Sequence, residues 1–122
     1  MNIKFLTPTL HGLLDYGAAA GLVVLPFLLG LNAGTPPELW LSIAAGLGLI
    51  GYSLVTDYAL SVTGLISYRT HLALDITAGL VFVAAPFVLG FSAFATGYYV
   101  VMGVTVWLVV AISQWPEQAQ AG

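Results

Sequence analysis

The sequence HGLLDYGAAAGLVVLPFLLGL, residues 11–31, recurs 60 residues later as HLALDITAGLVFVAAPFVLGF, residues 71–91. Nine of the 21 positions are identical, and the alignment needs no gap. Each copy opens with a histidine followed four residues later by an aspartate, and each closes with Pro-Phe-x-Leu-Gly before a last apolar residue. A repeat of this length indicates that the chain is built from two copies of one structural unit.

The composition predicts that this unit lies in a membrane. Of the 122 residues, 60% are hydrophobic and only 6% are charged, whereas a soluble domain has about 25% charged residues. The absence of cysteine excludes disulfides and thiol chemistry, and two cations cannot form a basic patch for a nucleic acid. We therefore expect an all-α integral membrane protein, a four-helix bundle in contact with membrane lipid.

Four apolar segments are each close to the roughly 20 residues that a bilayer-spanning helix needs. Since backbone groups in lipid must bond within their own segment, each segment is predicted to be a helix. Thr7 and Pro8 are typical of a helix start, Glu38 suits the positive end of a helix dipole, and Pro116 is expected to end the last helix before a polar tail. The predicted helices cover residues 9–31, 38–58, 68–91 and 97–115, with turns at 32–37 and 92–96.

The four segments are expected to form a single membrane domain, with one repeat at about 7–58 and the other at about 67–115. Because each repeat holds two spans, both copies enter the membrane from the same side, as transmembrane hairpins related by a pseudo-twofold axis along the membrane normal. A cleavable signal peptide is not expected, because the first segment recurs in mid-chain. Lys4 and Arg69 flank the N-terminus and the middle loop, so the positive-inside rule places both termini in the cytoplasm.

Ionisable side chains are concentrated in the predicted cytoplasmic half of the bundle. The spacing of four residues puts His11 and Asp15 on one helix face, and it does the same for His71 and Asp75. A charged side chain in the bilayer costs at least a few kcal/mol unless it is paired or hydrated. We therefore expect a polar cluster near the pseudo-twofold axis, with these members: His11, Asp15, Asp57, Arg69, His71 and Asp75.

Three roles are open for this polar cluster. In the leading hypothesis it joins the helices by hydrogen bonds, with each aspartate accepting from a histidine, Arg69 or Tyr58, and with Asp57 paired to Arg69 across the middle loop. In the second, the aspartates form a proton or ion path through a small channel or transporter. In the third, His11 and His71 bind haem or a metal ion. The spacing is not a metal signature and no catalytic motif is present, so neither a cofactor nor an enzymatic activity is expected.

A proline-glycine motif is predicted to end the first and third helices. The proline frees a carbonyl and bends or ends the helix, the glycine four residues later suits a C-cap, and the phenylalanine between them is expected to pack against the neighbouring span. Four aromatic residues near predicted span ends are expected to form an interfacial belt. The belt consists of Trp40, Tyr98, Tyr99 and Trp115, and the motif consists of Pro26, Phe27, Gly30, Pro86, Phe87 and Gly90.

The doubled unit, His-x-x-x-Asp followed by Pro-aromatic-x-x-Gly, resembles the SPW-repeat family of small bacterial integral membrane proteins. The resemblance covers about residues 7–115 and includes YSLVTDY at 52–58. The family's Ser-Pro-Trp is replaced here by LPF at 25–27 and APF at 85–87. The resemblance implies four transmembrane helices from two repeats in a bacterial inner membrane, and it brings no established activity.

The leading functional hypothesis is a structural, accessory or assembly component of a membrane. Its basis is the absence of a catalytic constellation and of a soluble domain. A bundle of this size buries little polar surface alone, so we expect it to form a homo-oligomer or to join a larger membrane complex.

Overall fold

The computed structural model describes residues 3–115, which fold into four α-helices and one short 3-10 helix. The all-α class predicted from the sequence is confirmed. The predicted helix end at Pro116 and the polar tail lie outside the described residues. The α-helices are α1 (Pro8–Leu28), α2 (Pro36–Leu54), α3 (Tyr68–Leu89) and α4 (Ala93–Ile112), and the 3-10 helix Leu31–Ala33 lies between α1 and α2.

Side-chain caps fix the starts of three helices. Thr7, Ser67 and Ser92 each accept a hydrogen bond from the backbone N–H three residues later, at 3.3, 3.1 and 3.2 Å. The sequence predicts a turn over residues 92–96. That prediction is wrong, because the Ser92 cap starts α4 at Ala93. Helix α2 ends at Leu54, before the predicted end at residue 58.

Glycines in the left-handed conformation follow the ends of α1 and α3. Gly30 has φ 78° and Gly90 has φ 69°, and they are the two residues with positive φ in the described part of the chain. Gly90 is the C-cap of α3, a position that favours glycine because it has no Cβ. Pro26 and Pro86 lie in the last turns of α1 and α3, so both helices end within three residues of their proline.

The helices pack as two antiparallel pairs, α1 against α2 and α3 against α4, with fewer contacts between the pairs. Glycines allow the close approach in each pair, Gly46 between α1 and α2 and Gly79 with Gly103 between α3 and α4. A Cβ at Gly46 would lie 2.9 Å from the carbonyl oxygen of Ala19, and a Cβ at Gly103 would lie 2.8 Å from that of Gly79. The backbones therefore meet where a larger side chain would force them apart.

Three of the described helices, α1, α3 and α4, are long and apolar enough to cross a membrane. Helix α2 is not among them. Large apolar side chains face outward on the helices, including Phe27 (51% exposed) and Phe87 (72% exposed). The expectation that these two phenylalanines pack against a neighbouring span stays a prediction.

Candidate functional site

The structure brings four of the six predicted polar residues together where α1 faces α3. His11 and Asp15 come from the first turns of α1, and His71 and Asp75 come from the same positions of α3. All four side chains are buried, and both histidines have no exposed surface. One ligating atom from each residue lies within 4.8 Å of the others. We call these four residues the His-Asp cluster.

Within the His-Asp cluster, the shortest contacts cross from one helix to the other. His11 Nε2 lies 2.9 Å from Asp75 Oδ2, and His71 Nε2 lies 2.9 Å from Asp15 Oδ2. The contacts within one helix are longer, at 3.2 Å for His11 with Asp15 and 3.4 Å for His71 with Asp75. The sequence leaves both pairings open, and the structure shows an interlocked set in which the pairs between helices are tighter.

A hydroxyl group orients each histidine ring from its other nitrogen. His11 Nδ1 lies 2.7 Å from Ser113 Oγ, and His71 Nδ1 lies 2.8 Å from Thr56 Oγ1. Both hydroxyls donate to the carbonyl oxygen four residues earlier in the chain, at 2.6 and 2.5 Å. Since a hydroxyl has one hydrogen, it must accept from the ring. Each Nδ1 therefore carries a proton, and both Nε2 atoms face the carboxylates.

Backbone pairing holds the two hydroxyl residues in place. Ser113 pairs with Leu6 just before α1, and Thr56 pairs with Ile66 just before α3, each as a parallel bridge. In both bridges the chain segment that leads into one helix pair contacts the segment that leaves the other. The hydroxyl that orients each histidine therefore comes from the opposite helix pair.

Two tyrosine hydroxyls also donate hydrogen bonds to the carboxylates. The Tyr52 hydroxyl donates to Asp75 Oδ1, and the Tyr58 hydroxyl donates to Asp15 Oδ2 at 3.2 Å. Tyr58 lies in the loop after α2, and burial raises the pKa of its hydroxyl, so it stays protonated and acts as a donor. The expectation that Tyr58 serves an aspartate matches this contact, whereas nothing in the sequence spacing pointed to Tyr52.

Asp57 and Arg69, the other two predicted members, lie outside the His-Asp cluster. Asp57 is in the loop after α2, where its backbone N–H donates to Ile66 at 2.8 Å. The Arg69 guanidinium lies 5.5 Å from the centre of the Trp115 ring, a cation–π distance. The predicted pairing of Asp57 with Arg69 stays a prediction.

A cavity of about 240 Å³ between the helix pairs borders the His-Asp cluster. His11, Asp15, Asp75 and Tyr52 lie at its polar end. The rest of the wall is almost entirely apolar and includes Leu22, Ala45, Leu49, Phe82, Met102 and Val106. The cavity is large enough for several waters or one small molecule.

A second polar network joins α2 to α4 at the opposite end of the bundle. Ser42 Oγ donates to the carbonyl oxygen of Leu22 at 2.7 Å and lies 2.7 Å from the Tyr98 hydroxyl. The Tyr99 hydroxyl donates to the carbonyl oxygen of Glu38 at 2.8 Å. Both tyrosines are buried, so their predicted place in an interfacial belt is wrong. A tyrosine near a span end fits a belt or a buried network equally well in sequence.

Comparisons with protein-family models, with curated proteins and with solved structures found no match. The resemblance to the SPW-repeat family therefore stays a prediction.

Proposed function

We propose that the protein is a small four-span integral membrane protein with a structural or accessory role, in which the His-Asp cluster joins two repeated helical hairpins. The observation that carries this proposal is the direction of the bonds around the two histidines. Each ring bonds a hydroxyl from the opposite helix pair and has its shortest carboxylate contact with the opposite helix pair. Both nitrogens of each histidine ring therefore contact a group from the opposite helix pair.

Helix α2 is proposed as the fourth span because of its partner and its length. Its 19 residues extend about 28 Å, close to the roughly 30 Å of a bilayer core. Ser42 contacts Leu22 and Gly46 contacts Ala19, so α2 runs antiparallel along α1. A helix that packs along a membrane-spanning helix over this length crosses the same part of the bilayer.

The sequence separation between corresponding residues of the two halves supports the repeated hairpin. Corresponding positions of α1 and α3 are 60 residues apart, as in His11 and His71, whereas Gly46 and Gly103 are 57 residues apart. Thr56 and Ser113 have the same spacing of 57 residues and orient the two histidines. The connection between α3 and α4 is four residues shorter than that between α1 and α2, and α3 is one residue longer than α1. The second half of the repeat is therefore shifted by three residues, which explains why it is hard to see in sequence.

A buried cluster of this kind is suited to fixing the arrangement of two hairpins. Two buried carboxylates need two compensating charges, which two imidazolium rings supply. Individual hydrogen bonds between membrane helices contribute only about 0.6 kcal/mol on average, but removing one partner of a buried charged set costs roughly 3–5 kcal/mol. The cluster therefore stabilises one arrangement of the hairpins by penalising every arrangement that separates its members.

The proposed topology is tested by cysteine labelling, because the chain has no cysteine of its own. Asn32 and Val62 lie in the exposed turns between α1 and α2 and between α2 and α3, which four spans place on opposite sides of the membrane. With cytoplasmic termini, an impermeant maleimide added to intact cells labels Asn32→Cys and leaves Val62→Cys unlabelled until the membrane is permeabilised. Labelling of both variants in intact cells contradicts α2 as a span.

A further inference from the structure

We propose that the His-Asp cluster is a binding site for one divalent transition-metal ion, held by His11, Asp15, His71 and Asp75. The starting observation concerns one nitrogen atom. His71 Nε2 is buried and makes no well-aligned hydrogen bond, and its nearest carboxylate oxygen, Asp15 Oδ2, lies 2.9 Å away in an ion-pair contact. A bound ion at the centre of the cluster would coordinate this buried nitrogen directly.

The distances in the cluster fit the edges of a metal coordination polyhedron. Nitrogen and oxygen ligands lie about 2.0–2.2 Å from zinc, so neighbouring ligand atoms in a tetrahedron are roughly 3.4 Å apart. The four distances from Nε2 atoms to carboxylate oxygens in the cluster are 2.9, 3.2, 2.9 and 3.4 Å. Two of these distances go to different oxygens of Asp15, and one ligating atom from each of the four residues lies within 4.8 Å of the others. The four side chains are therefore close enough to hold one ion once they adjust around it.

The outer contacts of the histidines are those of metal ligands. A histidine that binds a metal through one nitrogen usually donates a hydrogen bond from the other, which fixes the ring. Here Ser113 and Thr56 accept from the two Nδ1–H groups and leave both Nε2 atoms directed at the common centre. Tyr52 and Tyr58 hold the carboxylates in the same way. The site thus has an outer shell as well as four ligands.

Charge balance selects the class of ion. The two carboxylates carry two negative charges in a buried site, and two protons on the Nε2 atoms or one divalent cation neutralise them equally. Binding of the ion releases the two protons, so the net charge of the cluster does not change. Two imidazoles and two carboxylates suit zinc, iron or manganese, whereas magnesium and calcium prefer sites made of oxygen alone.

The first test uses the full chain in mild detergent, after tag removal and treatment with a chelator, with Co²⁺ as the probe. The chain has only two histidines, so imidazole ligands in an X-ray absorption spectrum must be His11 and His71. We expect one Co²⁺ per chain, intense visible absorption typical of four-coordinate cobalt, imidazole scattering, and displacement by Zn²⁺. Failure of the folded wild type to bind Co²⁺ or Zn²⁺, or bound metal without imidazole ligands, overturns the proposal.

Variants separate the site from other metal-binding groups. The double variant His11→Gln, His71→Gln is expected to lose binding, whereas Asp57→Asn, which changes a carboxyl outside the cluster, retains it. Ser113→Ala keeps all four ligands and is expected to weaken binding by roughly 10–100-fold. Binding by the folded double variant at wild-type affinity overturns the proposal, and if that variant does not fold, the wild-type X-ray absorption spectrum decides. The structural role proposed above is measured on metal-free protein, so either proposal can fail alone.

Discussion

The substitution Asp75→Asn is expected to destabilise the protein by about 3–5 kcal/mol in the absence of metal. Asp75 Oδ2 lies 2.9 Å from His11 Nε2 and 3.4 Å from His71 Nε2, and Oδ1 accepts from Tyr52. His11 Nε2 and the Tyr52 hydroxyl are the hydrogen-bond donors on the two sides of this carboxylate, so the NH₂ group of an asparagine must face a donor on one side. The variant also leaves one positive charge of the cluster without a counter-charge.

The magnitude follows from the burial of the site. A hydrogen bond to a charged group contributes about 1.5–3 kcal/mol, and removing one partner from a buried ion pair costs roughly 3–5 kcal/mol in total. This corresponds to a change of roughly 100- to 4,000-fold in the unfolding equilibrium. Asparagine has almost the same shape as aspartate, so the loss reports charge and hydrogen bonding and not a new cavity.

Asp57→Asn is the matched control, because Asp57 is exposed and lies outside the cluster. A change at an exposed position of this kind is usually within about 0.5 kcal/mol of wild type. The assay is reversible unfolding in mixed detergent micelles, followed by far-ultraviolet circular dichroism on chelator-treated protein. If Asp75→Asn is no less stable than Asp57→Asn, the buried charge network does not hold the bundle together.

Three further outcomes are expected. Gly46→Leu should destabilise the protein by about 1–3 kcal/mol, because a Cβ at this position meets the α1 backbone. Gly51→Ala places its Cβ in open space and should be neutral or slightly stabilising. Equal effects of the two substitutions in the same unfolding assay would contradict the packing of α1 on α2. Thr56→Val should lower the free energy of unfolding by about 1–3 kcal/mol, because it removes the acceptor of a buried ring N–H. Ser113→Ala should lower it by a similar amount in that assay. Wild-type stability of both variants would show that the hydroxyls do not orient the rings. Proteoliposomes with the protein should show no more proton flux than empty vesicles, because the cavity next to the cluster has an apolar wall; flux abolished by Asp75→Asn would favour the channel hypothesis.

The four members of the His-Asp cluster could be predicted from the sequence because their chemistry is local. His11 and Asp15 share a helix face through a spacing of four residues, and the repeat places His71 and Asp75 on an equivalent face. Two such helices that cross near their starts must bring the four side chains together. The glycines at the helix ends follow from local backbone geometry in the same way.

The partners of the cluster could not be predicted, because they depend on how the two pairs meet. Ser113 and Thr56 are 57 residues apart, whereas the histidines that they orient are 60 residues apart, so a gap-free comparison does not align them. The burial of Tyr99 could not be predicted for a related reason. An aromatic residue near a span end fits an interfacial position, and only the packing of α4 against α2 shows that it is buried.

His11 and His71 are expected to join the two helix pairs by contacts between α1 and α3. Solid-state NMR on the protein in lipid bilayers tests this directly, because ¹⁵N-labelled histidine reports two residues and ¹³C-labelled aspartate reports three. We predict close contacts between His11 Nε2 and the Asp75 carboxyl carbon and between His71 Nε2 and the Asp15 carboxyl carbon. Contacts only within each helix, His11 with Asp15 and His71 with Asp75, would contradict the claim.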